Sequence, residues 1–188
     1  MADSPPTPPD SFAELVARAG PDVPLDLAVA LIASEEQSGV ASRDVLEALD
    51  ALALRLRIPS GAPLVEQVAR LNHLLFTECG FRGDDETYDD PRNSLLDQVL
   101  ERRKGLPILL SVLTIEVGRR VGLALDGVAF PSHFLISPRH AEPRFFLDPF
   151  HGGRILRREH LTQRLMAMTG GRTLSEAELA RYMAPVSR

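Results

Sequence analysis

This sequence of 188 residues has little cysteine, no long apolar run and no excess of positive charge. The single Cys79 excludes an internal disulfide and a metal site built from several cysteines, in agreement with a reducing compartment. No apolar run approaches the roughly 18 residues that cross a bilayer, and the first ten residues lack the charged and apolar regions of a signal peptide. We therefore expect a cytoplasmic protein that does not enter a membrane.

The net charge and the length of the chain further restrict the class of protein and its possible partners. The chain carries 21 Lys and Arg against 26 Asp and Glu, for a net charge of -5, and the basic residues are interspersed with acidic ones. Because there is no basic stripe, nucleic acid is a poor first choice of partner. The apolar share of 44% is enough for a proper core, and the length suits one domain with a helical extension.

The first 80 residues divide into a tail and a helical region. Residues 1–10 contain four prolines and predict a disordered tail. From residue 11 to 80 the apolar residues recur at helical spacing in four segments separated by glycine and proline, which predicts four helices. Residues 81–188 hold the remaining elements, and we expect the two regions to form one integrated domain. The chain ends soon after a predicted helix, which is compatible with an excerpt of a longer protein.

An acidic loop, residues 84–91, opens the second region. It lacks the alternating ligands and the central glycine of an EF-hand calcium loop, so we expect a solvated loop. A helix follows, with Asn93 or Ser94 as its N-cap and an end near Arg103.

The next helix, from Pro107 to Val121, is apolar on nearly every face, which indicates that it is buried. One narrow stripe differs because it carries only small or hydroxyl-bearing residues. Such residues admit a close neighbour, either a sheet or a ligand. The stripe consists of Pro107, Ser111, Thr114 and Gly118.

Two short apolar runs, Pro131–Ile136 and Arg144–Pro149, flank a linker rich in turn-forming residues and predict a β-hairpin. The preceding run Leu123–Phe130 predicts another strand, and a fourth is expected around Ile155. A final helical pair follows, and a capping-box spacing begins its second helix at Ser175 and Glu178. This order of elements predicts an α+β fold in which the buried helix lies against a small antiparallel sheet.

The predicted hairpin brings a histidine and an aspartate together. With its turn centred between residues 140 and 141, Phe134 faces Leu147 and His133 faces Asp148. Directly opposite residues have Cβ atoms roughly 4.5–5.5 Å apart, within reach of an imidazole to carboxylate hydrogen bond. Such a bond fixes the tautomer of a histidine and raises its basicity, as a general base requires. The alternative also stands, that His133 is a satisfied histidine at a sheet end and that Asp148 begins and caps a turn.

Short motifs spread over several predicted elements carry a resemblance to a known family. They are Tyr88–Ser94, Gly105–Ser111, Gly122, Pro131–Phe134 and Leu147–Phe150 followed by Gly152 and Gly153. Together they resemble the transglutaminase-like superfamily, whose core has a papain-like arrangement, and more narrowly a bacterial family of uncharacterised transglutaminase-like proteins. A related domain occurs in a eukaryotic F-box ubiquitin-ligase subunit. The resemblance covers about residues 60 to 160.

The resemblance implies which residues form the site. In the superfamily the catalytic group is Cys-His-Asp, with the cysteine at the N-terminus of the buried helix, where the helix dipole stabilises a thiolate. His133 falls on the family histidine and Asp148 on the family aspartate. The nucleophile position falls at or near Pro107, which has no nucleophile. Acyl-enzyme chemistry through a cysteine at that position is therefore lost.

Two other residues are candidate nucleophiles. Ser111 lies one turn further along the same helix, on the same stripe, although a serine within a helix usually bonds its own backbone. Cys79 lies at the end of a predicted helix, where the negative pole of the dipole disfavours a thiolate, so a structural role is the better interpretation.

A zinc site formed by His133, Asp148 and His151 has suitable ligand types but no diagnostic spacing. A hydrogen bond between His133 and Asp148, with His151 in a loop, is the simpler interpretation. We therefore expect no metal and no cofactor.

Three hypotheses of function remain. The first is a non-catalytic module that binds a peptide or protein, or acts as a scaffold. It would hold an extended peptide in the cleft that contains the catalytic group in the superfamily. The second is an atypical hydrolase or acyltransferase in which Asp148 orients His133, and His133 activates water or Ser111. The third is a structural interaction protein that uses the helical region 11–80.

Overall fold

The computed structural model describes residues 9–20 and 22–186, and it begins with a helical region. The predicted tail, residues 1–10, lies outside the described residues except for its last two. Within the described ranges, no helix is both long enough and apolar enough to cross a bilayer. The four predicted helices are confirmed as α1 Phe12–Ala19, α2 Leu25–Glu36, α3 Ser42–Arg55 and α4 Leu64–Asn72, and α4 continues into a π-helical turn, His73–Glu78.

The segment between the helical region and the sheet contains two short parallel strands and two helices. They are β1 Arg82–Gly83, a 3-10 turn Pro91–Ser94, α5 Leu96–Arg102, β2 Lys104–Gly105 and α6 Pro107–Arg120. The predicted cap of α5 is wrong: the N-cap is Leu95, which makes no side-chain bond. Asn93 is buried instead, and its amide donates to the carbonyl of Thr87 at 2.7 Å.

A four-stranded antiparallel sheet and two helices complete the fold. The predicted strands are confirmed as β3 Leu125–Phe130, β4 His133–Pro138, β5 Phe145–Asp148 and β6 Arg154–Arg157, which lie in that order across the sheet. The closing pair is α7 Arg158–Met168 and α8 Glu176–Tyr182, and α8 begins with the predicted capping box.

The register between β4 and β5 differs from the prediction by two residues. Ile136, not Phe134, lies opposite Leu147, because the loop covers residues 139–144 and its centre falls one residue later than expected. His133 and Asp148 are therefore not directly opposite each other. A shift of two residues keeps every side chain on its original face, so both still point to the same side of the sheet, as diagonal neighbours.

The helix α6 lies between the helical region and the sheet, as its apolar faces predict. It contacts α2 and α3 on one side and β3 and β4 on the other. A Cβ added at Gly118 would lie 2.9 Å from Cδ1 of Leu125 on β3, so here the stripe of small residues admits the sheet. The largest apolar core joins residues of the helical region, α6 and the sheet, including Leu49, Leu110 and Leu147.

A network of charged side chains ties the C-terminal end of α6 to α2. Glu116 is almost completely buried and accepts from Arg119 at 2.7 Å and from Arg120 at 3.3 Å. The same two arginines reach Asp26 of α2 at 2.7 and 2.9 Å. Because each carboxylate has two guanidinium partners, the end of α6 and the helical region are held in one arrangement.

We expect Glu116→Ala to lower the free energy of unfolding by about 2 kcal/mol, since it removes charge-assisted hydrogen bonds at a buried position. Chemical denaturation monitored by circular dichroism measures the change. Glu47→Ala is the matched control, because Glu47 pairs only with Arg43 in an exposed ion pair and its loss is expected to change stability by less than about 0.5 kcal/mol. Equal effects of the two substitutions would contradict a structural role for the network.

Candidate functional site

His133 and Asp148 meet at one end of the sheet. His133 is the first residue of β4 and Asp148 the last residue of β5, and Nε2 of His133 lies 2.6 Å from Oδ1 of Asp148. The Asp148 side chain is completely buried, whereas 12% of the His133 side chain is exposed. The diagonal placement across the sheet is within the reach of an imidazole, so the bond forms in spite of the shifted register.

Asp148 also begins a turn and contacts a second histidine. Its Oδ1 accepts from the backbone N–H of His151 at 3.2 Å, which caps the 3-10 turn Pro149–His151. Its Oδ2 lies 2.8 Å from Nδ1 of His151 and 3.9 Å from the guanidinium of Arg164. The carboxylate therefore lies between two imidazoles, with a guanidinium nearby.

These neighbours determine the protonation state of Asp148. Burial raises the pKa of this carboxyl, but hydrogen bonds and positive charge from His133 and His151 outweigh burial, so the pKa lies below its ordinary value. Asp148 is consequently a carboxylate at neutral pH. Because an ionised carboxylate only accepts hydrogen bonds, Nε2 of His133 carries a proton in this bond.

Aromatic rings form one wall of the site. The ring of Phe150 lies edge-on to His133 and to Tyr88, with centroids 6.0 Å apart in both pairs, and it also packs against His151 at 5.3 Å. Phe150 is held tightly against β1, because a Cβ added at Gly83 would lie 2.5 Å from its ring. Tyr88 is half exposed, so the acidic loop supplies an aromatic surface next to His133.

The acidic loop is anchored by Asp84, which corrects the expectation of a fully solvated loop. Asp84 is buried and accepts from the Thr87 backbone N–H at 3.1 Å, the Thr87 hydroxyl at 2.7 Å and Arg102 at 3.2 Å. Thr87, which makes the largest contribution, and Lys104 lower the pKa of Asp84 to about 2. Asp85 and Glu86 are exposed, as expected.

The candidate nucleophile positions lie on α6 and at the end of the π-helical turn. Pro107 is the first residue of α6 and is buried. Ser111 is completely buried, and its hydroxyl has no hydrogen-bond partner among the described residues, whereas the hydroxyl of Thr114 bonds the helix backbone. Cys79 ends the π-helical turn, and its Sγ accepts from Arg55 at 3.2 Å.

The structure adds Tyr88 and Phe150 to the site, and it brings His151, which the sequence considered only as a zinc ligand, against Asp148. His151 was expected in a loop, although the Asp-x-x-His spacing is a local signal for a capped turn that brings both side chains together. Tyr88 and Phe150 belong to the motifs of the resemblance, but their contact joins distant segments and has no sequence signal.

Comparison with known proteins places the chain among transglutaminase-like sequences. The family model of the transglutaminase-like superfamily matches residues 43–188. The UPF0162 protein of Xylella fastidiosa (strain 9a5c) is 44% identical over 119 residues, which are 63% of this chain and 42% of that protein. The UPF0162 protein of Vibrio cholerae is 45% identical over 80 residues, which are 42% of this chain and 30% of that protein.

A eukaryotic relative is similar over a shorter segment. F-box only protein 21 of Mus musculus is 41% identical over 66 residues, which are 35% of this chain and 10% of that protein. No solved structure matches the chain. The matched segment spans less than half the length of the bacterial relatives described above.

We expect the contribution of Asp84 to the free energy of unfolding to depend on pH. Because its pKa falls from 3.8 to about 2 on folding, its contribution is fully present above pH 3.8 and is lost as the pH falls through about 2. Asp84→Asn is therefore expected to reduce the slope of unfolding free energy against pH between these values. Denaturation at a series of pH values measures the slope, and Asp85→Asn, at an exposed position, is the control. An unchanged slope in Asp84→Asn would contradict the assignment.

Proposed function

Because the chain belongs to the transglutaminase-like superfamily, we propose that it is a non-catalytic member that binds a peptide or protein segment at the surface beside His133 and Asp148. The observation that carries this proposal is Pro107 at the first position of α6, at or near the position where the motif match places the family cysteine. Proline supplies neither a thiol nor a backbone N–H. The helix end is therefore without the group that would form an acyl-enzyme and without one donor for an oxyanion.

The remaining hydroxyl and thiol groups considered above do not replace the cysteine. The hydroxyl of Ser111 is buried within α6, so a bulky substrate reaches it only if the surrounding side chains move. Cys79 is at the end of the π-helical turn, and its thiol contacts Arg55 rather than His133. A His-Asp pair alone activates water but forms no covalent intermediate.

Two exposed apolar side chains support binding, one beside Phe150 and one on the first turn of α6. Tyr88 is 49% exposed beside Phe150, and Ile108, adjacent to Pro107, is 47% exposed. Tyrosine is one of the residue types that contribute most to the binding energy of protein interfaces, and exposed apolar surface marks sites of interaction. The similarity to F-box only protein 21 also favours a protein partner over a small molecule.

The proposal includes the organisation and location of the protein. Residues 11–80 and 81–188 are proposed to form one integrated domain, because the largest apolar core contains side chains from both. The single cysteine is in keeping with the cytoplasm. The acidic net charge favours neither nucleic acid nor a membrane surface as a partner.

One observation favours the second candidate, an atypical hydrolase or acyltransferase. Nε2 of His133 is occupied by Asp148, while Nδ1 has no hydrogen-bond partner among the described residues. A neutral imidazole in that state accepts a proton from water or from a hydroxyl such as that of Ser111. Activity assays separate the two candidates.

We expect the purified protein to incorporate no amine into a glutamine-containing protein and to hydrolyse no peptide faster than His133→Ala or Ser111→Ala. We also expect a fluorophosphonate probe not to label Ser111, because the hydroxyl is buried. Mass spectrometry measures both incorporation and labelling. Turnover that disappears in Ser111→Ala or His133→Ala, while Leu54→Ser remains active, would overturn the proposal and establish the second candidate.

The binding function is tested with a library of peptides displayed on phage. We expect enriched peptides whose affinity falls about tenfold in Tyr88→Ser or Ile108→Ser, since each removes an apolar anchor. Leu54→Ser is the matched control: Leu54 is also exposed, but it lies beside Arg120, at the opposite end of α6, roughly 20 Å from Pro107. Failure to enrich any peptide, or an equal loss in all three variants, would contradict binding at this surface.

A further inference from the structure

We propose that His133, Asp148 and His151 bind a divalent transition-metal ion, with Zn²⁺ as the expected ion. These three side chains are called the two-histidine cluster below. The proposal does not rest on the absence of catalysis or on peptide binding, since it concerns the affinity of three side chains for a metal alone.

The ligand atoms already face one another. One nitrogen of each imidazole and a carboxylate oxygen of Asp148 all lie within 4.8 Å of one another. Two imidazoles and a carboxylate form an established ligand set for zinc, and imidazole also suits copper and nickel. Among the described residues, this is the group of three such side chains that meets the distance requirement.

To bind an ion, the three side chains must move from their present hydrogen-bonded positions. The nitrogen to oxygen distances are 2.6 Å for His133 and 2.8 Å for His151, whereas ligands about 2.0–2.1 Å from a tetrahedral metal are roughly 3.3 Å apart. Nε2 of His133 and Nδ1 of His151 bond different oxygens of Asp148, Oδ1 and Oδ2. Each imidazole must therefore move away from its own oxygen by about 0.5–0.7 Å, and both must converge on one ion. His151 has the freedom to move, because half of its side chain is exposed and it lies in a short turn.

Metal binding by neutral histidines requires no base to remove a proton, because each ring keeps its proton on the other nitrogen. In neutral histidines the nitrogens that now donate to Asp148 must present a lone pair to the metal instead. The proton moves to the other nitrogen of each ring, which is the ordinary tautomer change of a metal-bound histidine. Asp148 supplies one oxygen of its carboxyl group.

The surroundings of the cluster leave a position open. Asp148 is completely buried, His133 is nearly so, and His151 faces solvent, so the fourth ligand of a tetrahedral ion is expected on the solvent side. That position accepts water or a donor atom of a bound molecule. The guanidinium of Arg164 lies 3.9 Å from Oδ2 of Asp148 and repels a second positive charge there, but 40% of its side chain is exposed to solvent, which screens that repulsion.

The test is calorimetric titration of chelator-treated protein with ZnCl₂, together with the visible absorption of bound Co²⁺. We expect one equivalent of Zn²⁺ and the intense absorption of tetrahedral Co²⁺. His151→Ala is expected to weaken binding by about tenfold or more, as is Asp148→Asn. His151→Ala is the more informative variant, because its exposed side chain is less important for folding, which circular dichroism verifies.

His73→Ala provides the matched control, since His73 is exposed and pairs with Glu78 outside the cluster. Its affinity for Zn²⁺ is expected to equal that of the unmodified protein. Absence of binding, or binding that His151→Ala leaves unchanged, would overturn the metal site. Neither result bears on peptide binding, because the selected peptides are measured separately with and without EDTA.

Discussion

The burial of α6 on nearly every side is the constraint on which the other parts of the structure depend. Its apolar side chains leave no polar face, so the helix requires cover from two directions. The helical region provides one cover and the sheet the other, and Gly118 permits the close approach of β3. Residues 11–80 are therefore needed to complete the core around α6. The charged side chains of α6, Glu116, Arg119 and Arg120, are confined to its C-terminal part.

The two ends of α6 are arranged in opposite ways. At the C-terminal end, the negative pole of the helix dipole stabilises the positive charges of Arg119 and Arg120. Both arginines also pair with Asp26 and Glu116, so these charges are neutralised close to the core. At the N-terminal end, Pro107 begins the helix without a donor or a nucleophile. The C-terminal end therefore fixes the packing of the helical region against α6.

The sequence predicted those features that depend on local periodicity. Four helices, the buried helix and four strands follow from apolar spacing, and the capping box of α8 follows from Ser175 and Glu178. The predicted register of β4 and β5 was wrong because the true register depends on the conformation of the loop 139–144, which apolar spacing does not encode. The face of each strand was nevertheless correct, since an error of two residues preserves it.

Non-local polar contacts account for the other differences. Asp84 is buried because Arg102, 18 positions away, reaches it, and Asn93 is withdrawn from its expected capping position by the Thr87 carbonyl. Neither partner is indicated by spacing along the chain. The His133 to Asp148 bond was accessible to sequence reasoning because a hairpin connects the two residues, whereas the ring of Tyr88 beside Phe150 depends on how the acidic loop packs.

The His133–Asp148 pair has a physical reason to exist apart from catalysis. A completely buried carboxylate is costly unless donors surround it, and Asp148 obtains them from His133 and from the backbone N–H and imidazole of His151. Removing either histidine would leave part of a buried charge uncompensated. The pair is thus required by the burial of Asp148 whether or not a nucleophile is present.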